Sequence, residues 1–501
     1  MSIEYSPQVC IELEKHFKKL NLYRPLRINQ YQPGRELEYE VTGIEQANKA
    51  QVKLKIKKFV GGGFAGQVYK VELLNIESDQ KIEKLEVGKS YAMKILVPPS
   101  GFSRLFRDVI YRLGFQGTFQ LQTNPNASRA GAIWQKFIKR AVEIKFGKQG
   151  KVVDIHATFI DYNLGSCGEL SEWINGRTWL LEVDDHIDLL KKWRKGKNID
   201  NEEKLGSPEF RSWYKFMHNF VELLHDMGAY EFARQYEWTT CKSQPNCLKN
   251  CDREELQLVA VDFRAGLALL PFLPMSPGDF KLIFNGVKRG SLVQFDRGDI
   301  DKLERFTKKY FKDFQDLEHL LPELRAADKI YRSSVPDVSH NHIKLLYSRS
   351  LWSSILNNSV MGWQIQSLID FKHSKKLYAS GILKLFFFIL GIIPIFGNFI
   401  RKFLGHSSWQ NHYLNLLDKN YFKKALKGKV IEKLIMWYQK GRISEKKAKF
   451  LVKNSWPFLL YHIPLSFFPV TIHKFLTDWN FTKERFYYFF IRPVKLYFDQ
   501  D

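Results

Sequence analysis

The chain has 501 residues, 45% hydrophobic and 26% charged, a balance that supports packed cores and excludes global disorder. A formal net charge of +24 and 40 Phe residues point to polyanionic partners: phosphorylated ligands, an anionic membrane face or nucleic acid. No helix-turn-helix, zinc-finger or RNA-binding signature accompanies the charge, so no specific nucleic-acid partner is expected.

The first residues lack the basic region, apolar run and cleavage site of a secretory signal, and a cytoplasmic main domain is expected. Residues 6–20 predict a short amphipathic helix, followed by a polar connection at Pro33 and Gly34. Residues 51–60 alternate, with Val52, Leu54 and Ile56 on one side and lysines on the other, the period of a half-exposed strand. Glycines 61–63 interrupt it, and residues 67–73 resume as a second strand. A polar loop over 75–89 leads to a third strand at 90–97. Residues 127–144 carry Ala130, Ile133, Trp134, Phe137 and Ile138 at helical spacing. Strand-like runs follow at 152–160 and 178–183, on either side of Gly168-Glu-Leu-Ser-Glu-Trp-Ile-Asn-Gly-Arg. Beyond Asp184 the texture is helical: Ser207-Pro208 starts a helix whose face carries Phe210, Trp213, Met217, Phe220 and Leu224, and Gly228 ends it.

Strands plus one helix, then mostly helices, predict an α+β chain with a small sheet lobe beside a larger helical lobe. The five cysteines, Cys10, Cys167, Cys241, Cys247 and Cys251, are odd in number and lack a CxxC pair. They read as buried or free thiols, against a disulfide scaffold or a zinc site.

Gly61-Gly62-Gly63-Phe64-Ala65-Gly66-Gln67-Val68 fits GxGxxGxV between two strands, with Gly61, Gly63, Gly66 and Val68 as the pattern positions. Glycine there lets backbone amides approach phosphate oxygens without an intervening side chain. A dinucleotide fold requires a helix after this loop, whereas a strand follows. Tyr91-Ala92-Met93-Lys94-Ile95 resembles the third-strand V-A-I-K element, whose lysine neutralises nucleotide phosphates. Leu258-Val-Ala-Val-Asp262-Phe263-Arg264 ends an apolar strand in an acid and resembles D-F-G, with Arg264 in place of Gly. Glu172-Trp173-Ile174-Asn175-Gly176 looks like a linker between lobes.

In this order the elements resemble the protein-kinase-like superfamily over roughly residues 50–345, closest to atypical bacterial members such as ubiquinone-biosynthesis-type kinase-like ATPases and lipopolysaccharide-core kinases. The resemblance implies a two-lobed protein-kinase-like fold with an added α-helical C-terminal region, and ATP with Mg²⁺ in the cleft. It assigns Lys94 to the phosphates, Glu143 to a pairing with Lys94, the linker at Glu172 and Ile174 to the adenine, and Asn246 and Asp262 to the metal. The pattern departs at the catalytic loop, where Cys241 stands five residues before Asn246 in place of an aspartate. Either Glu237 or Asp226 serves as base with Lys242 steadying the transferred phosphate, or the base is absent and the chain is a pseudokinase scaffold that binds nucleotide without chemistry.

Four segments are expected: an N-terminal helical extension (1–45), an N-lobe (46–175), a helical C-lobe (176–347) and a basic, aromatic-rich region (348–501). In the last, residues 385–397 are intensely apolar between lysines and arginines, too short for a spanning helix and bent by Pro394 and Gly397. With the aromatic stretch 456–476 and the lysines of 423–453, they predict a peripheral or monotopic association with an anionic inner membrane face. The expected activity is an ATP-dependent phosphotransferase or ATPase acting on a lipid, lipid-linked or glycan substrate.

Overall fold

In a computed structural model of the chain, the described residues are 6–62, 66–78, 82–99, 121–147, 150–180, 208–237, 243–250, 258–263, 268–269, 280, 284, 287–288, 294–295, 298–333, 346–393, 396–454, 470–477 and 479–491. The chain forms two compact units, residues 35–401 and residues 1–34 with 402–501.

The unit 35–401 begins with strands β1 (Glu36–Gly43), β2 (Lys49–Gly62), β3 (Gln67–Glu77) and β4 (Ser90–Ile95). After β5 (Gly150–Val152), β6 (Ile155–Asp161) and β7 (Ser166–Glu172) complete a closed antiparallel barrel in the order β1-β2-β3-β4-β7-β6. Alternation decides what fills it. Leu37, Tyr39 and Val41 of β1, Val52, Leu54 and Ile56 of β2, and Tyr91, Met93 and Ile95 of β4 are all buried. Each such apolar side chain contributes about 1.5–3 kcal/mol on burial. The Tyr39 hydroxyl donates to Asp161 at 2.6 Å, which satisfies the polar end of a buried ring.

The expected two-lobed protein-kinase-like fold is corrected by this barrel. The cause is β1, in a segment expected to be a helical extension. It pairs with β2 from Glu36↔Lys55 to Thr42↔Lys49, and with β6 from Val41↔Phe159 to Gly43↔Ala157, so both edges of the sheet are consumed. Glu36, Glu38 and Glu40 alternate with the three buried apolar residues, a polar outer face that hides a strand from a reading based on apolar runs. β7 is the second unanticipated strand of the barrel, lying where a connecting segment was expected.

The helix Pro125–Phe146 starts where the Asn124 side chain accepts from the Asn126 amide at 3.1 Å and Pro125 pre-sets the first turn. It buries Ile133, Trp134, Phe137 and Ile138 in a core shared with Phe220, Leu224, Val259, Phe263, Leu303 and Leu324. Arg129 on this helix donates to the carbonyls of Gly43 and Ile44 and to Glu323 (2.6 Å), tying the barrel to the helix Leu320–Arg332. With β5, strands β8 (Gly176–Leu180), β9 (Ser243–Asn250) and β10 (Leu258–Ala260) form a second sheet ordered β5-β10-β9-β8. The helix Pro208–Asp226 ends at Gly228, whose φ of +83° and 2.6 Å clearance to the Asp299 carbonyl leave no room for a side chain. Helices Arg349–Ile365, Phe371–Ala379 and Gly381–Ile392 pack around Ile355, Val360, Trp363, Leu377, Phe387 and Phe388.

In the second unit the helix Pro7–Lys18 buries Val9, Leu13 and Phe17 with Val430, Ile431 and Leu434 of the helix Lys419–Gln439 and Leu451 of the helix Glu445–Lys453. Residues 9–17 and 430–452 therefore share one core.

The apolar run 385–397 falls in the helices Gly381–Ile392 and Phe396–Gly405, with residues 394–395 outside the described set. Among the described residues, no helix is long and apolar enough to cross a membrane. Most of the stretch 456–476 also lies outside them.

Candidate nucleotide-phosphate site

β4 alternates buried Tyr91, Met93 and Ile95 with half-buried Ala92 and Lys94. The pleat therefore turns the Lys94 side chain to the barrel's outer face. Its direct cross-strand neighbours are Val68 on β3 and Glu169 on β7. The ammonium meets Asp262 Oδ1 at 2.7 Å and Glu169 Oε1 at 3.7 Å, with all three side chains no more than 12% exposed. One ammonium thus sits between two carboxylates in a largely desolvated place. That arrangement orients the lysine.

Asp262 follows β10 and is held by backbone contacts. Its amide donates to the Tyr236 hydroxyl at 3.1 Å, and that hydroxyl donates to the Asp262 carbonyl at 2.8 Å. Tyr236 is fully buried against Phe220 and Phe263, and burial together with the nearby Asp262 charge raises its phenol well above the usual range. It therefore stays protonated and able to donate. The Val261 amide donates to the Asn246 carbonyl at 3.0 Å, which sets Asn246 on β9 beside the residue preceding Asp262.

The glycine hairpin joins β2 to β3, with Gly62 paired to Gln67. A Cβ on Gly66 would lie 2.6 Å from the Ile95 carbonyl, one residue beyond Lys94, whereas one on Gly61 would meet open space. Gly66 is therefore required for close packing of the hairpin on the lysine strand, and Gly61 is not.

The structure brings together Val68, Gly66, Lys94 and Asp262, with the Asn246 backbone adjacent. It does not bring Glu143 to Lys94. Glu143 is 52% exposed and lies 3.7 Å from Arg140 on its own helix. The additional carboxylate on Lys94 is Glu169, which the sequence reading missed. No local pattern marks it, because Ser, Gly and Glu stand where apolar residues would signal a strand. Glu172 accepts from the Asp154 amide at 2.9 Å, and Ile174 is buried in the main core. Asp226 is exposed at the end of its helix. Gly63 and Lys242 lie outside the described residues, as does the side chain of Glu237, which ends the helix Tyr230–Glu237. Cys10, Cys167 and Cys247 are buried thiols outside any disulfide, and burial pushes the thiols of Cys167 and Cys247 up to about 12.

No protein-family model matches the chain, and no curated protein matches it.

Proposed function

We propose that the chain binds a nucleoside triphosphate with Mg²⁺ on the outer face of its barrel and works at a membrane surface as an ATP-dependent phosphotransferase or ATPase. The observation that carries this reading is the 2.7 Å approach of Lys94 and Asp262, which are 168 residues apart in the chain. Lys94 would hold phosphate oxygens, Asp262 would take the metal, and Glu169 would keep the ammonium aimed between them. Mg²⁺ characteristically binds through one or two carboxylates plus substrate phosphates while keeping several waters, so this donor set fits it. Bound metal and ammonium together neutralise charge on the transferring phosphoryl group.

Membrane association is supported by the helix Gly381–Ile392. Ile382, Leu385, Phe386, Ile389 and Ile392 recur at helical spacing and are all exposed, opposite the buried Phe387, Phe388 and Leu390. The acceptor on this reading is a lipid, a lipid-linked group or a glycan held near the bilayer.

The test is thermal denaturation of the full chain with Mg·ATP, together with ATP turnover with and without vesicles. At ligand one hundredfold above its Kd, stabilisation of about 2.7 kcal/mol is expected. Lys94→Ala and Asp262→Asn should each remove it. Stabilisation without turnover would favour a nucleotide-binding scaffold, and no stabilisation of the parent chain would refute the site.

A further inference from the structure

The unit 1–34 with 402–501 contains a cavity of about 270 Å³ that the nucleotide reading does not use. Its walls combine two chemistries. Trp409, Tyr413, Leu416 and Phe422 supply an apolar and aromatic side, while Arg24, Arg27 and Lys429 supply cations. Lys402, which is not part of the lining, stacks its ammonium on the Trp409 ring, 4.4 Å from the centroid. The guanidinium of Arg27 also lies over this ring, at 5.0 Å.

The charge does not balance locally. Glu432 is the carboxylate serving this group: it pairs with Arg24 inside the protein, accepts from the Arg27 amide at 3.0 Å and lies 3.3 Å from Lys429. Arg24 and Lys429 therefore share one carboxylate, and among the described residues none lies within ion-pair distance of the Arg27 guanidinium. Lys402 is only 7% exposed, and among the described residues no carboxylate lies within ion-pair distance of it. Burial, reinforced by Arg27, Lys429 and Arg24 and opposed by Glu432, lowers its ammonium to about 7. A buried ammonium is costly without a counter-charge, and the Trp409 face repays only part of that cost. Cations left unneutralised beside an apolar wall are complementary to an anion attached to a hydrocarbon body.

We propose that this cavity binds a phosphate-bearing amphiphile, with the phosphate facing Arg27 and Lys429 and the apolar portion against Trp409, Tyr413 and Phe422. The assignment does not depend on the Lys94 site. The shared chemistry is a phosphate monoester on a hydrocarbon chain, whether from a membrane lipid or from a soluble phosphate ester.

The experiment is calorimetric titration of the full chain with monooctyl phosphate below its micelle concentration, with inorganic phosphate, and with neutral octyl glucoside. Octyl phosphate should bind more tightly than either of the others. Lys429→Met and Arg27→Gln should each weaken it by about tenfold or more, the value of one charge-assisted contact. Lys429→Met should meanwhile leave the ligand-free melting temperature nearly unchanged, because its side chain is half exposed. A lysine with a purely structural role would lower it. Should that variant misfold, Arg27→Gln, at an exposed side chain, carries the test alone. Capture by phosphatidylcholine vesicles doped with phosphatidic acid, lost in the same variants, identifies a lipid source. Binding of octyl phosphate without such capture identifies a soluble one. Equal affinity for octyl phosphate and octyl glucoside, or affinity unchanged in both variants, would overturn the proposal. Equal affinity for octyl phosphate and inorganic phosphate would overturn its apolar half.

Discussion

Replacing Asp154 by Asn removes one buried charge while preserving shape. Asp154 lies immediately before β6 and receives Lys84 at 3.0 Å, Lys136 at 2.5 Å and Lys139 at 2.6 Å. Exposure decides their weights. Lys84 is 50% exposed and Lys139 is 22% exposed, so water screens both, whereas Lys136 is as buried as the aspartate, each at 5%. Breaking a buried pair from one side costs about 3–5 kcal/mol, because the remaining charge is left uncompensated. Glu45, 3.1 Å from Lys136, absorbs part of that charge and puts the expected loss near the lower end, about 3 kcal/mol. Against a total stability of about 5–15 kcal/mol, a loss of that size is readily measured by urea unfolding near neutral pH. The same variant has a pH signature. Burial alone would raise the Asp154 carboxyl, but Lys136 and Lys139 outweigh it and hold the group well below the usual carboxylate range. Its stabilisation is therefore full above the unfolded value of about 3.9 and fades as pH falls below that. The parent chain should lose stability steeply on that acid limb, and Asp154→Asn should be flatter. A loss under about 1 kcal/mol, with an unchanged acid limb, would mean that the cluster behaves as a surface salt bridge and would refute the reasoning.

Tyr236→Phe leaves the Asp262 amide and carbonyl without their hydroxyl partner. It should cost about 1–3 kcal/mol by thermal denaturation and reduce stabilisation by Mg·ATP. Gly66→Ala forces a contact on the Ile95 carbonyl and should lose about 1–3 kcal/mol, while Gly61→Ala, facing open space, should be nearly neutral in the same melt. For His156, burial lowers the imidazole to about 4, helped by Lys136 and opposed by Asp154. Its stabilisation is full above the unfolded value of about 6.5 and is lost as pH falls toward the folded one. Imidazole proton shifts should show His156 neutral until the pH approaches about 4, and a midpoint near 6.5 would contradict its burial.

The nucleotide-site reading rests on residues that were visible as local pattern. Lys94 stands in an alternating strand after a glycine hairpin, and Asp262 ends an apolar run, so both could be singled out before their 2.7 Å contact was known. Glu169 could not, because its segment carries Ser, Glu and Gly at positions where apolar residues mark a strand. Gly168 itself is dictated by tertiary packing, since a Cβ there would lie 2.4 Å from the Phe159 ring across the ladder. Glu143 failed as a partner for the complementary reason. Helical spacing locates a residue along an axis, but where the packing stops is settled by tertiary contacts: burial on this helix ends at Val142, and Glu143, on nearly the same side as Arg129 but far along the axis, faces water.

Local periodicity and turn chemistry determined the strands β2 to β4, the capped helix Pro125–Phe146 and the helix stop at Gly228, because each depends on near neighbours in the chain. Closure of the barrel, the second carboxylate on Lys94 and the cation-lined pocket at Trp409 were decided only by tertiary structure. All three arise from pairing between residues far apart in sequence, where one strand satisfies two edges or one glutamate is left to serve several cations. Local sequence carries no record of those distances.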